Sequence, residues 1–97
     1  MAWEERLKSD QTIGTPFESN TPFVIRLEGD YAGKTYTLQS RRLPDGEFDD
    51  DEGQAITENP MLFYSFEDTE YRIKASESGA TAYSNTVFTT QRDRLGR

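Results

Sequence analysis

The sequence predicts an all-β domain, an antiparallel β-sandwich of about seven strands preceded by an extended N-terminal arm. Threonine is common, and six Phe and five Tyr occur in 97 residues, a composition that favours strands over helices. Several segments alternate apolar and polar residues with the period of two that a half-buried strand shows. Turn residues separate these segments at the short intervals typical of a sandwich.

The clearest alternation lies in the closing stretch, residues 70–90. Tyr71, Ile73 and Ala75 fall on one side of a strand, and charged residues fall on the other. A glycine-bearing turn over 76–80 then leads into a second β-rich run. These two runs are therefore predicted to pair with each other as a closing hairpin.

The earlier strands follow the same pattern. Strands are predicted over 23–28, 35–43 and 54–57, with a Pro-Asp-Gly turn after the second of them. The residues predicted to point inward in the first two are Phe23, Ile25, Leu27, Tyr36 and Leu38. Thr12–Ile13 and Pro16–Glu18 are predicted to form an edge strand, because an edge tolerates proline.

Three regions follow from this pattern. They are an N-terminal arm or linker (1–21), the sandwich (22–90) and a basic C-terminal tail (91–97). Trp3 and Leu7 are spaced i, i+4, which predicts a short helix over 3–9 within the arm. Trp3 either folds back to cap its own sandwich or inserts with Leu7 into another subunit.

The stretch from Met61 to Phe66 is apolar on both faces of its predicted strand. A strand of that kind needs cover on both sides. Two arrangements satisfy this requirement: a central strand flanked by the arm, or a strand with one face against a partner.

Charge and composition exclude several classes of protein. The formal net charge is −7, whereas phosphate contacts to nucleic acid need a basic surface; the same charge disfavours anionic membranes. No apolar stretch approaches the length of a membrane span, and the charged N-terminus does not resemble a signal peptide. Without cysteine there is no disulfide and no thiolate chemistry, so we expect synthesis in the cytoplasm.

No catalytic constellation is present in the sequence. Histidine is absent, which removes Ser/His/Asp triads and the commonest zinc ligands. Only a carboxylate pair is left as acid–base chemistry, so we expect no enzyme activity and no cofactor.

The acidic run 45–52 partly matches a calcium-binding loop. It lacks the EF-hand glycine at its sixth position, Asp50, and the EF-hand glutamate at its twelfth, Ile56. An improvised calcium loop stays open beside a solvated hairpin tip, in which Phe48 anchors the loop.

Two sets of motifs resemble known families. The closing stretch resembles the last strands of immunoglobulin-like and fibronectin type III modules. The residues that carry this resemblance are Tyr71-x-Ile73-x-Ala75, Gly79, Ser84-Asn85-x-Val87 and Thr89-Thr90. A second set, over about residues 22–90, is similar to small tailed-bacteriophage virion proteins with an Ig-like sandwich. Its residues are Gly29-Asp30-Tyr31-Ala32-Gly33, Tyr36 to Arg41, Pro44 to Phe48, and Tyr71-Arg72-Ile73.

The phage resemblance implies a structural role in the virion, most simply as a capsid decoration protein bound to the major capsid protein or other virion proteins. A neck or tail accessory protein, a carbohydrate- or receptor-binding module and an acidic inhibitor of a host nucleic-acid enzyme are the alternatives. A homo-oligomer is left open, and neither nucleic acid nor membrane is expected as a partner. The residues predicted to bind the partner are Trp3, Leu7, Ile13, Phe17, Met61 and Phe63.

Overall fold

The computed structural model describes residues 3–49 and 52–86, which form eight strands and no helix. The strands are β1 (Glu4–Leu7), β2 (Phe17–Glu18), β3 (Phe23–Gly29), β4 (Tyr36–Arg42), β5 (Gln54–Ala55), β6 (Met61–Phe63), β7 (Thr69–Ala75) and β8 (Ala80–Thr86). The prediction of an all-β antiparallel domain is therefore confirmed.

The strands form two four-stranded sheets. The first sheet has the order β1-β8-β3-β6, and the second has the order β2-β7-β4-β5. Every neighbouring pair is antiparallel. The longest ladders are β3 with β8 and β4 with β7, so these four strands form the centre of the domain.

One hydrophobic core lies between the two sheets. The ring of Phe23, on the first sheet, lies 5.4 Å from that of Phe17 and 5.2 Å from that of Tyr71, both on the second. The inward residues predicted for β3, β4 and β7 are all buried here. Alternation therefore identified the core face of β3, β4 and β7 correctly.

The predicted closing hairpin is wrong. β7 pairs with β2 and β4, whereas β8 pairs with β1 and β3, so the turn between them crosses from one sheet to the other. In an immunoglobulin domain the last two strands are neighbours in one sheet, and the Ig-like identity is not confirmed. Alternation reports which face of a strand is buried but does not report which strand lies beside it.

The leading segment is a strand and not the predicted helix over 3–9. Glu4 lies opposite Ser84 and Glu5 opposite Tyr83, and a bulge then shifts the register before Leu7. The bulge inserts one extra residue and turns Leu7 into the core. A helix of two turns is marginal in water, whereas pairing along β8 satisfies the backbone of this segment.

The connection from β1 to β2 crosses between the sheets through a tight contact at Gly14. Its N–H donates to the carbonyl of Ile73 at 2.8 Å, and Thr15 N–H donates to the carbonyl of Arg6 at 3.1 Å. A Cβ atom at position 14 would overlap the Arg6 carbonyl oxygen, so glycine is required there. The described part of the predicted arm, residues 3–21, is thus built into both sheets.

β6 is an edge strand and not the central strand that was one predicted arrangement. Among residues 3–49 and 52–86 it pairs only with β3. The Asn59 side chain continues this ladder, because its Oδ1 accepts from Leu27 N–H at 2.8 Å and its Nδ2 donates to Leu27 O at 2.9 Å. The predicted strand residues 87–90 and the tail 91–97 lie outside the described residues.

Candidate interaction surface

Three of the six residues predicted to bind a partner belong to the protein's own core. Leu7, Phe17 and Phe63 have only 1%, 6% and 2% of their surfaces exposed. They pack between the two sheets and are not accessible to another protein in this fold. For these three residues the predicted role as anchors is wrong, because each lies at an inward position of a paired strand.

The other three predicted residues keep part of their surface exposed, but the structure does not bring them together. Trp3 is half-buried on the outer face of the first sheet. Ile13 is 43% exposed and forms an isolated bridge with Lys74 of β7 on the second sheet. Met61 is half-buried and packs against the core. Only Trp3 lies on a broad surface that a partner could cover.

That surface is the outward side of the first sheet. The ladder places Val24 between Asn85 on one side and Leu62 on the other, and it places Tyr83 between Glu5 and Arg26. Continuing the β1 register by one residue brings Trp3 beside Asn85. We call this surface the outer aromatic face, and its members are Trp3, Val24, Arg26, Leu62 and Tyr83.

Arg26 holds the aromatic rings of this face in place. Its guanidinium carbon lies 4.5 Å from the ring centre of Trp3 and 5.3 Å from that of Tyr83. The Arg26 guanidinium also forms an ion pair with the Glu28 carboxylate, with 2.9 Å between Nη2 and Oε2. Stacking of a planar cation on two rings orders both side chains before any partner arrives. These side chains would therefore lose little further conformational entropy when a partner binds them.

The acidic loop packs on part of the outward side of the second sheet, over Gln39. Gln39 is 1% exposed, donates through Nε2 to the carbonyl of Asp49 at 3.1 Å, and accepts from Arg72 Nε at 2.7 Å. The ring centre of Phe48 lies 4.3 Å from the Arg72 guanidinium carbon and 5.4 Å from that of Arg41. The prediction that Phe48 anchors this loop is confirmed.

The acidic loop shows no assembled metal site in its described part. No group of three or more acidic side chains converges in the way metal ligands do anywhere in residues 3–49 and 52–86. Asp50 and Asp51, which belong to the loop, lie outside those ranges. The improvised calcium loop therefore stays untested.

A partly open hollow of about 230 Å³ lies between β1 and β2. Arg6 lines this hollow, and its Nε donates to Ser84 Oγ at 2.7 Å. The Arg6 guanidinium also forms an ion pair with Glu4 at 3.2 Å, and its carbon lies 4.3 Å from the ring centre of Phe17. These contacts join β1 to β8 and to β2. The role of Arg6 is therefore to join strands of the two sheets.

The edge of the first sheet carries a second exposed apolar surface. Leu62, Tyr64 and Phe66 are 43%, 70% and 70% exposed, and we call them the β6 stripe. Phe66 borders three open hollows of about 550, 250 and 230 Å³. Its N–H donates to the hydroxyl of buried Tyr71 at 2.8 Å, which fixes the backbone that presents the ring.

Comparison with protein-family models, curated protein sequences and solved structures finds no match. In the part of the chain that the structure describes, no helix is long and apolar enough to cross a membrane. The functional interpretation therefore rests on the two exposed surfaces and on the sequence.

Sequence reasoning missed three members of the outer aromatic face, Val24, Arg26 and Tyr83, whereas Leu62 lies in the stretch 61–66 for which one face against a partner was a predicted arrangement. A signal was present, because Val24 is an apolar residue at an outward position of β3, between inward Phe23 and Ile25. The arrangement itself could not be predicted, because it needs β1 to pair with β8 from the other end of the chain.

Proposed function

We propose that this protein is a non-catalytic structural component, a virion protein of the tailed-bacteriophage type that its sequence resembles. In this proposal it binds the major capsid protein or another virion protein, as a decoration protein does. Attachment uses the outer aromatic face, since the predicted arm is built into the sheets. The observation that carries the proposal is the contact of Arg26 with the half-buried rings of Trp3 and Tyr83 on the outward side of the first sheet.

The composition of this face supports protein binding. Trp, Tyr and Arg are the residues that most often dominate the energy of protein interfaces, and here Trp3, Tyr83 and Arg26 lie in contact. Val24 and Leu62 add apolar surface next to them. A flat patch with ordered rings at one side and aliphatic groups at the other fits the core of an interface.

The charges around the face indicate a basic partner. Exposed Glu5 lies beside Tyr83 in the ladder, and exposed Glu28 pairs with Arg26. The whole chain carries a formal net charge of −7. An apolar patch rimmed by Lys or Arg on the partner would complement this surface and would accelerate association at low salt.

The non-catalytic part of the proposal rests on the side chains that the sequence supplies. Neither histidine nor cysteine occurs in the 97 residues. Adhesion through a preformed face needs none of the acid–base or nucleophilic groups that enzymes use.

Quantitative mass spectrometry of purified virions tests this proposal. We expect the wild-type protein at high copy number in the particles. Trp3→Ala and Tyr83→Ala should each weaken attachment by about 1–3 kcal/mol, because each removes a central ring of the interface. Tyr31→Ala is the matched control, since Tyr31 is 40% exposed in the turn after β3, away from the face.

Thermal melts of the isolated variants separate binding from folding. We expect all three variants to remain folded at the temperature of the binding experiment. Absence of the wild-type protein from particles, or equal retention of Trp3→Ala and wild type, would contradict the proposal. Binding of the isolated protein to glycans through the same rings would favour the carbohydrate-binding alternative instead.

A further inference from the structure

We propose that the hollow between β1 and β2 is a docking site for the C-terminal segment of the same chain, residues 87–94. In this proposal the ring of Phe88 enters the hollow and contacts Phe17 and Phe23. The contact forms within one copy of the protein, so it does not depend on attachment through the outer aromatic face.

The hollow lies where the edges of the two sheets meet. β1 is an edge strand of the first sheet, and β2 is an edge strand of the second. Phe17 and Phe23 line the hollow on the side of the core, and their ring centres lie 5.4 Å apart. Ser19 and Asn85 add polar groups to the lining. A segment that carries one aromatic side chain among polar ones matches this surface.

β8 leads the chain directly to the hollow. Its last three residues, 84–86, all line the hollow, and the described part of the chain ends with them. Ala82 and Ser84 face the core and are 0% and 5% exposed. The next positions on that side of an extended chain are Thr86 and Phe88. A continuation of β8 would therefore carry the Phe88 ring into the space between the sheets.

Covalent connection favours this segment over any other occupant. Phe88 follows Thr86, which lines the hollow, by only two residues. Closing so short a stretch of chain costs little entropy. The effective concentration of a tethered group is in the millimolar range for short linkers, so a second copy or another protein would have to compete against it.

The charges at the hollow complement those of the segment. Glu4 and Glu18 line the hollow and are exposed. Glu4 pairs with Arg6, whereas no ion pair of Glu18 forms within residues 3–49 and 52–86. Residues 91–97 contain three arginines and one aspartate. Arg92 lies four residues after Phe88, at most about 14 Å along an extended chain, which brings its guanidinium within range of the Glu18 carboxylate.

Cross-linking within the 97-residue chain tests the docking, because the natural sequence has no cysteine. Ser19→Cys, in the hollow, is combined with Thr89→Cys, which leaves Phe88 in place. A short bismaleimide should then give a cross-linked monomer in dilute solution. Tyr31→Cys combined with Thr89→Cys is the distance control and should give none, since Tyr31 follows the far end of β3.

Adding Phe88→Ala to the Ser19→Cys, Thr89→Cys chain shows whether the ring holds the segment in place. Most of the cross-linked monomer should be lost. Val87→Ala is the matched control and should keep it, because position 87 lies on the opposite side of an extended chain. No cross-link to position 19, an equal yield with position 31, a link only between two copies, or no effect of Phe88→Ala would each overturn the proposal.

Thermal melts measure the same contact without cysteines. Phe88→Ala should lower the melting temperature by about 4 °C or more, because the ring contacts strands of both sheets. Phe66→Ala should lower it less, since Phe66 is 70% exposed. An equal shift for the two variants, or no shift for Phe88→Ala, would contradict docking of Phe88 in the hollow.

Discussion

Two tyrosines show how a single hydroxyl group affects this core. Tyr36 and Tyr71 are each 3% exposed and point inward from neighbouring strands. The Tyr71 hydroxyl accepts a hydrogen bond from Phe66 N–H at 2.8 Å. The Tyr36 hydroxyl is buried without a hydrogen-bond partner among the residues that the structure describes. One hydroxyl thus stabilises the fold, and the other carries a desolvation cost.

Removing the two hydroxyls should have opposite effects on stability. We expect Tyr71→Phe to lower the free energy of unfolding by about 1 kcal/mol, because the Phe66 N–H loses its partner. Tyr36→Phe should leave it unchanged or raise it by up to about 1 kcal/mol, because an unpaired polar group leaves the core. Urea unfolding of both variants at neutral pH measures the difference. Equal losses for the two would contradict the assignment.

The same Tyr36 hydroxyl adds a pH dependence at the alkaline end. Burial raises the pKa of Tyr36 above its ordinary value of 10.0; Lys34 opposes the increase, and Asp30 and Glu77 reinforce it. The folded state therefore keeps the proton at a pH where the unfolded chain releases it. Stability should fall as the pH rises through about 10 and beyond, and Tyr36→Phe should make this fall shallower.

β1 and the connection that follows it are integral parts of the fold. β1 pairs with β8, its Leu7 is 1% exposed in the core, and its Arg6 binds Ser84. The connection that follows is fixed to Ile73 of β7 through Gly14. Since both sheets depend on these contacts, the segment cannot leave to bind a neighbour without opening the core.

A matched pair of truncations tests the role of this segment. Leu7→Ala should cost about 2–5 kcal/mol of unfolding free energy, as is typical of a leucine removed from a packed core. Ile13→Ala should cost less than about 1 kcal/mol, since Ile13 is 43% exposed. Chemical denaturation of both variants provides the comparison. Equal, small losses of unfolding free energy in the two variants would instead support the extended N-terminal arm that the sequence predicted.

The sequence predicted the faces of the strands better than their neighbours. The alternation of β3, β4 and β7 identified Phe23, Leu38 and Ile73 as inward residues, and all three are buried. Pairing depends on contacts between distant segments, such as Glu4 with Ser84, which no local pattern reports. The helix prediction failed because the i, i+4 spacing of Trp3 and Leu7 also fits a strand that contains a bulge.

The whole molecule has two unlike faces. On the second sheet, Gln39 and Phe48 hold the acidic loop over the outward side. On the first sheet, Trp3 and Tyr83 are half-buried, and Arg26 lies against both rings. The sequence could predict Phe48 as an anchor, because an aromatic residue within an acidic run has few other roles. It could not predict the aromatic face, which forms only when the first and last strands meet.

Fluorescence from position 3 shows whether the protein attaches to virions through the outer aromatic face. Trp3 is the only tryptophan in the chain, and replacing it with 5-hydroxytryptophan gives a signal that can be excited apart from the partner's tryptophans. We expect binding to shift this emission to the blue and to protect it from acrylamide quenching, because the outer aromatic face becomes covered. The same emission and the same quenching in free and bound protein would show that attachment occurs elsewhere.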